Sequence, residues 1–359
     1  MINSFNILQE HTLAGFEYDK PHRHYHTSLH IYDMLDKLEN YKDRLTKQEI
    51  KELELTIVYH DVVYDINRSI SKDKKVLSNE KMSAKFFVEK SGKKYDKEIT
   101  KKVVKLIEMT GTPEKAKTFQ EKLLMFLDFN TILEESKSLR QDSYNIFKEY
   151  QVIPYETFQD GRREFCQKIG PKIIEKTFKD DKDFGQYYEG FLNGFKTLEL
   201  INECFRPKIG IYVGSFKPFH IGHFNILKKA EKIFDKVVIV SAVNDSKENL
   251  EPSNIPYYLE TEIERNNQLI TNTIKKVVDR NKCFYETSLI RGIRNNSDLI
   301  SEQNYNETLQ DFGNQIPIVH ILSDSKYTHI SSSLIRELSK MEDENEDIQA
   351  RLKEYLKFF

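Results

Sequence analysis

The stretch Gly214-Ser215-Phe216-Lys217-Pro218-Phe219-His220-Ile221-Gly222-His223 decides how the second half of this chain is read. An apolar run, Ile209 to Val213, precedes it, and Phe224, Leu227, Ala230 and Phe234 follow at helical spacing. Beyond them Val237-Val238-Ile239-Val240 is β-branched throughout and reads as a second buried strand. Strand, glycine-containing turn, helix and strand make a βαβ unit. Its polar motif falls at the strand's carboxyl end, where open α/β sheets bind ligands. Two histidines three apart at a helix start can both face a phosphate chain, helped by backbone N–H groups and the positive helix end.

Working outward, the chain separates into two halves of different pattern. From about residue 5 to 204 the spacing is helical almost throughout, with apolar stripes at Leu53, Ile57, Val58 and Val62, at Val103, Leu106 and Ile107, and at Leu123, Leu124, Leu127 and Ile132. Phe191 to Phe205 reads as a last amphipathic helix, stopped by Arg206-Pro207-Lys208. The boundary is placed there, giving an all-α domain over 1–205 and a domain of alternating strands and helices over 206–359.

Composition bounds the partners. With 359 residues the chain is long enough for two domains of ordinary size. A net charge of -2 offers no basic field for nucleic acid and no polybasic membrane patch. No apolar run approaches the roughly 18–20 residues of a membrane helix, and Met1 to Glu10 lacks the layout of a signal peptide. Cys166, Cys204 and Cys283 are odd in number and far apart, which argues against a disulfide framework and for a reducing, cytoplasmic setting. The acidic patch Glu342 to Asp347 reads as a solvated loop.

Further polar groups follow the strands of the second half. Asn244-Asp245-Ser246-Lys247 lies just past the second strand, and Ser288-Leu289-Ile290 runs into Arg291-Gly292-Ile293-Arg294, with Ser297-Asp298 and Glu302 beyond. Ile330-Ser331-Ser332-Ser333 reads as a serine-capped helix start after a strand at Ile318 to Leu322. In these four ordered blocks, residues 208–359 resemble the His-x-Gly-His nucleotidylyltransferases, and most of all the phosphopantetheine adenylyltransferases.

The resemblance implies a Rossmann-like α/β fold and transfer of an adenylyl group from ATP to a phosphate-bearing acceptor. Carried over by position, it gives His220, His223, Lys247 and Arg291 catalytic roles: His223 stabilises the α-phosphate, and Lys247 and Arg291 hold the acceptor phosphate. Gly214, Ser215, Phe216, Arg294, Glu302, Ser331, Ser332 and Ser333 would bind ATP, with Mg2+ on the leaving pyrophosphate. Two departures stand out. His220 is similar to the nicotinamide-mononucleotide adenylyltransferase pattern, which leaves that acceptor as an alternative. Between Arg265 and Arg291, where the family starts a helix lining the pantetheine pocket, Asp279-Arg280-Asn281-Lys282-Cys283-Phe284 offers none.

In the first half, Pro21-His22-Arg23-His24-Tyr25-His26-Thr27-Ser28-Leu29-His30 holds four of the ten histidines. His60-Asp61 ends one apolar helical segment and Asp128 lies within another. Imidazoles and carboxylates converging from separate helices are the makings of a metal site in a bundle, although the histidine cluster alone also suits a polar surface turn. Pro21 to Ile31, Tyr59 to Asp65, Asn79 to Ala84 and Phe126 to Asp128 resemble segments of predicted HD-superfamily metal-dependent phosphohydrolases. That resemblance implies a divalent metal on His30, His60, Asp61 and Asp128. Glu80, His24 and His26 would stand nearby, and a histidine that relatives carry after Thr110 is replaced in Gly111-Thr112-Pro113.

Together the halves read as a bifunctional enzyme acting on small molecules, without nucleic-acid or membrane partners and with self-association suggested by the adenylyltransferase resemblance. The rival of another class is a nucleotide-binding regulatory protein without turnover.

Overall fold

The computed structural model describes residues 7–69, 71, 73, 75–242, 252–264, 270–281, 287–311, 316–341 and 345–357, with backbone alone at 242, 270–271 and 304–311. Lys247, with the rest of its Asn244–Lys247 turn, and Cys283 lie outside the described residues. The chain divides into two compact units, Met1–Tyr150 with Gln159–Cys204, and Gln151–Phe158 with Phe205–Phe359.

The first unit is helical, with no strand among its described residues. Several of its helices begin under side-chain caps. Thr46 and Glu49 form a capping box at Lys47–Tyr59, Thr118 and Glu121 another at Phe119–Phe129, and the Asp96 carboxylate accepts from two amides at Lys97–Thr110. The apolar stripes face one core, in which Leu53, Ile57, Val103, Leu106, Leu123 and Leu127 are all 0% exposed. Tyr188–Cys204 closes the unit, burying Phe191, Phe195 and Leu198.

The second unit is built on a five-stranded, wholly parallel sheet in the order β3-β2-β1-β4-β5. The strands are β1 Ile209–Gly214, β2 Lys236–Ala242, β3 Thr261–Glu264, β4 Thr287–Ile293 and β5 Ile318–Leu322. β1 pairs with β2 on one side (Ile211↔Val238) and β4 on the other (Ile211↔Leu289), so the strand order reverses beside it. Its consecutive residues Ile209 to Val213 are all buried, as expected of a strand covered on both faces. Gly210 is required by packing: a Cβ there would sit 2.4 Å from Ile290 Cδ1 and 2.8 Å from Phe234.

Three expectations are corrected. A helix, Ile270–Arg280, does occupy the segment before Arg291, because its apolar spacing starts well before Asp279. β4 continues through Ile293, so Arg291 belongs to the strand rather than following it. Glu346 and Asp347 form the first turn of helix Glu346–Leu356 beneath an Asn345 cap, where the helix dipole favours acidic side chains, rather than a loop.

Gln151–Phe158 belongs to the second unit although it interrupts the first in sequence. Gln151 accepts from Glu260 N (3.1 Å) and, through Oε1, from Val237 N (3.2 Å), while Tyr155 N donates to Asn281 Oδ1 at 2.9 Å. The wholly buried Lys236 ammonium donates to Ile153 O and to Glu260 Oε2 (2.6 Å).

Candidate active site and metal centre

At the carboxyl ends of β1 and β4 lies a cavity of about 700 Å3. Its floor is the turn after β1. Phe216 has a left-handed backbone (φ 47), and its buried ring folds back beneath Gly214. A Cβ on Gly214 would meet that ring at 2.7 Å, so only glycine fits. Phe216, expected to contact ATP, lines the cavity and packs edge-on against His223 at 5.1 Å.

His220 caps helix Ile221–Ala230. Its Nδ1 accepts from Gly222 N at 3.1 Å, and His223 Nδ1 accepts from His220 N at 3.3 Å. The two rings stack at 3.8 Å. Because each Nδ1 accepts a backbone N–H, the neutral form of each ring carries its proton on Nε2. Burial, then the Arg294 guanidinium, lowers the His220 pKa to about 4. Burial, His220 and Arg294 hold His223 well below the ordinary value too. Near neutrality both are uncharged Nε2–H donors lining the cavity.

The other expected residues of the second unit that are described also line this cavity. Arg291 makes a two-pronged pair with Glu302 (2.7 and 2.6 Å) and reaches Val213 O at 3.1 Å. Arg294 pairs similarly with Asp298 (2.9 and 3.1 Å). Ser331 Oγ caps helix Ser332–Ser339 by accepting from Leu334 N, Ser332 Oγ donates to Pro218 O at 3.0 Å, and Ser333 Oγ accepts from Arg336. Ser215 lines the cavity with its side chain exposed.

Lys217 was not singled out from sequence, although it stands inside the quoted turn. It lines the cavity and is 5% exposed, yet among the described residues its Nζ has no hydrogen-bond partner. A buried cation left this way costs several kcal/mol unless an anion joins it.

In the first unit the four expected ligands converge. One ligand atom each from His30, His60 and Asp128 lie within 4.8 Å of one another. Asp128 Oδ1 is 3.5 Å from His30 Nε2 and 3.7 Å from His60 Nε2, and Asp61 Oδ2 is 3.0 Å from His60 Nε2. Both Nε2 atoms are buried without a hydrogen-bond partner among the described residues, whereas His60 Nδ1 donates to Ile57 O at 2.9 Å. That tautomer leaves the His60 Nε2 lone pair free to bind a metal.

The approach to this cluster is fixed by Glu149, which sequence reading passed over as a site residue. One oxygen accepts from the backbone N–H groups of His24, Tyr25 and His26 (2.8, 2.8 and 2.9 Å), and the other meets His26 Nδ1 at 2.6 Å. Burial pushes the Glu149 carboxyl up, but His26 and these amides bring it down to about 2. Arg23 anchors the same turn through Asp61 O (3.0 Å) and Val62 O (2.9 Å). His26 lies ahead of helix Ser28–Leu38, so it does not share a helix face with His30. Glu80 lies against Gly111, where an added Cβ would meet its carboxylate at 3.1–3.2 Å.

The turn, the paired histidines and the serine-capped helix at the mouth of a parallel sheet define a nucleotidylyltransferase-type domain, and residues 211–338 match the cytidylyltransferase-like family. The chain is 38% identical over 141 residues to the phosphopantetheine adenylyltransferase of Mycoplasma capricolum subsp. capricolum, covering 36% of this chain and 96% of that protein. It is 33% identical over 140 residues to that of Mycoplasma mycoides subsp. mycoides SC, with the same coverage. Against the Streptococcus pneumoniae (strain 70585) enzyme it is 34% identical over 136 residues, 37% of this chain and 84% of the relative. Through its C-terminal part the chain therefore belongs to the phosphopantetheine adenylyltransferase family.

Among the described residues, no helix is long and apolar enough to cross a membrane.

Proposed function

We propose that the C-terminal unit transfers the adenylyl group of ATP to a phosphopantetheine-like phosphate and releases pyrophosphate. The observation that carries this reading is the cavity itself. It places two neutral histidine N–H donors, an unpartnered buried ammonium at Lys217 and two arginines around one space at the sheet's switch point. An acceptor phosphate oxygen attacks the α-phosphorus in line, and the bond to the pyrophosphate bridging oxygen breaks. Positioning and charge placement supply the rate. Neutral His220 and His223 donate hydrogen bonds to phosphate oxygens without taking a proton from the reaction. Lys217 faces the anionic chain, and Arg291, held by Glu302, presents an already oriented guanidinium.

Mg2+ fits here as a companion of ATP rather than a resident of the protein. Asp298 and Glu302 are each committed to an arginine, which leaves Glu337 among the lining carboxylates, too little for a seat of several oxygens. The test is pyrophosphate release from ATP with phosphopantetheine or nicotinamide mononucleotide as acceptor, with His223→Ala as control. Release with phosphopantetheine alone, lost in the variant, supports the reading, and release with nicotinamide mononucleotide alone overturns the acceptor.

For the N-terminal unit we infer a metal-dependent phosphohydrolase. The orphaned Nε2 atoms of His30 and His60 beside Asp128 and Asp61 form a donor set suited to a divalent transition ion. When bound, such a metal acidifies a water and polarises a phosphoryl oxygen. Arg23 and Glu149 hold the His24–His26 turn at the cluster, and the stacked His26–Tyr64 pair (3.8 Å) walls one side of it. Metal analysis of the purified chain, alongside phosphate release from monoesters, tests this; a metal-free chain that takes up no Mn2+ overturns it.

A further inference from the structure

Beside the metal cluster, within the first unit, lies a cavity of about 160 Å3 that the chemistry above does not use. Asp128 lines it, and so does Tyr25, whose ring is 5.4 Å from His30 and 4.9 Å from His26. The cavity and the ligand cluster are therefore neighbours sharing a wall. Leu139, Ile146, Phe129 and Phe165 make its sides apolar. Against them stand two polar atoms, Ser143 Oγ and Arg162 Nε, both buried and without a partner among the described residues. The Arg162 guanidinium lies 5.5 Å above the Phe165 ring, and Asp142 adds a carboxyl.

Size and polarity narrow the occupant. An apolar cavity of about 150 Å3 holds a benzene ring, so this one takes a single ring and excludes a whole nucleotide. Free phosphate or a bare sugar would waste the apolar walls, and a plain hydrocarbon would leave the hydroxyl and guanidinium unpaired. We propose that this cavity receives a single heterocyclic ring, of pyrimidine or pyridine size, carried by the alcohol part of a phosphate monoester whose phosphate sits at the metal cluster. The assignment rests on the phosphohydrolase reading and gives it a substrate class, nucleoside monophosphates with a one-ring base. In the reaction, water oxygen bonds to phosphorus, the ester P–O bond breaks, and the alcohol leaves with a proton from that water.

The test uses the full chain with Mn2+ and measures phosphate release from uridine 5′-monophosphate, adenosine 5′-monophosphate and ribose 5-phosphate. Expected is a kcat/KM at least tenfold higher for the uridine ester than for ribose 5-phosphate, with the purine ester between them. Ser143→Leu, which fills the cavity, should bring that ratio below two. Arg162→Gln, at a half-buried position, should lower it at least threefold and carries the test if Ser143→Leu does not fold. A wild-type ratio near one, a ratio unchanged by both variants, or a preference for the purine ester overturns the proposal. Chelation and Asp128→Ala separately test the parent reading. If no ester is hydrolysed, that reading falls, and calorimetry with uridine then decides the cavity. Binding lost in Ser143→Leu upholds the ring site, and binding unchanged by it, or none at all, overturns it.

Discussion

His220 and His223 stack ring on ring at 3.8 Å while each spends its Nδ1 on a backbone N–H, so the fold itself selects the Nε2–H tautomer of both. The same arrangement sets a pH dependence. His220 is held at about 4 when folded, against an ordinary 6.5 when unfolded, so between these values only the unfolded chain takes the proton. Stability of the C-terminal unit should therefore fall as pH drops below about 6.5. By pH 5 the loss from His220 alone is about 2 kcal/mol. His220→Asn keeps a cap acceptor for Gly222 N and should flatten that slope in denaturant titrations at pH 7 and pH 5.

Lys217 should show function and stability pulling in opposite directions. Lys217→Met removes a buried cation without a partner, so the melting temperature should rise. The loss of a charge-assisted contact to phosphate should raise the KM for ATP roughly 10–100-fold. A variant that loses both stability and ATP affinity would mark Lys217 as structural.

Glu302→Gln should weaken the acceptor more than ATP. It removes the charge that orients Arg291 but leaves the arginine in place. The acceptor KM is expected to rise about tenfold with the ATP KM within about twofold, read from pyrophosphate release under saturation of each substrate in turn.

Metal should stabilise the N-terminal unit. Mn2+ at a hundredfold excess over its dissociation constant adds about 2.7 kcal/mol, seen as a higher melting temperature in calorimetry. Asp128→Ala and His60→Gln should each abolish that rise.

Gly214→Ala tests the packing of the turn. The new methyl must displace the Phe216 ring, which would sit 2.7 Å away, and that ring supports His223. A loss of about 1–3 kcal/mol is expected, together with a lower kcat, and a neutral outcome would show that the turn yields more readily than the contacts imply.

Much of this was legible in the chain because it is local. The β1 run, the glycine turn and the helix after it are written in consecutive residues, and the helical stripes of the first half repeat every three or four positions. The candidate ligands His30, His60, Asp61 and Asp128 were picked out through a family pattern, since no spacing rule brings three separate segments together. What escaped was non-local or was set by a single backbone angle. Lys217 is buried beside a residue with a positive φ, Phe216, and no periodicity reports either fact. Glu149 has no spacing signal of its own, and its role shows only where three amides of a distant turn converge on it. Helix Ile270–Arg280 does leave a signal, in Ile270, Ile274 and Val277 at helical spacing, ahead of the polar run that starts at Asp279.

The membership of Gln151–Phe158 in the second unit means that the adenylyltransferase-like part is not a contiguous length of gene. A fragment beginning at residue 206 would carry Lys236 and Glu260 into the sheet without Ile153 O and the Gln151 carbonyl, and would leave Asn281 without the Tyr155 amide. Severing the halves at the apparent linker would thus expose an ammonium that the intact protein keeps wholly from water. Anyone wishing to express the second activity alone should begin the clone before Gln151 or append that octapeptide.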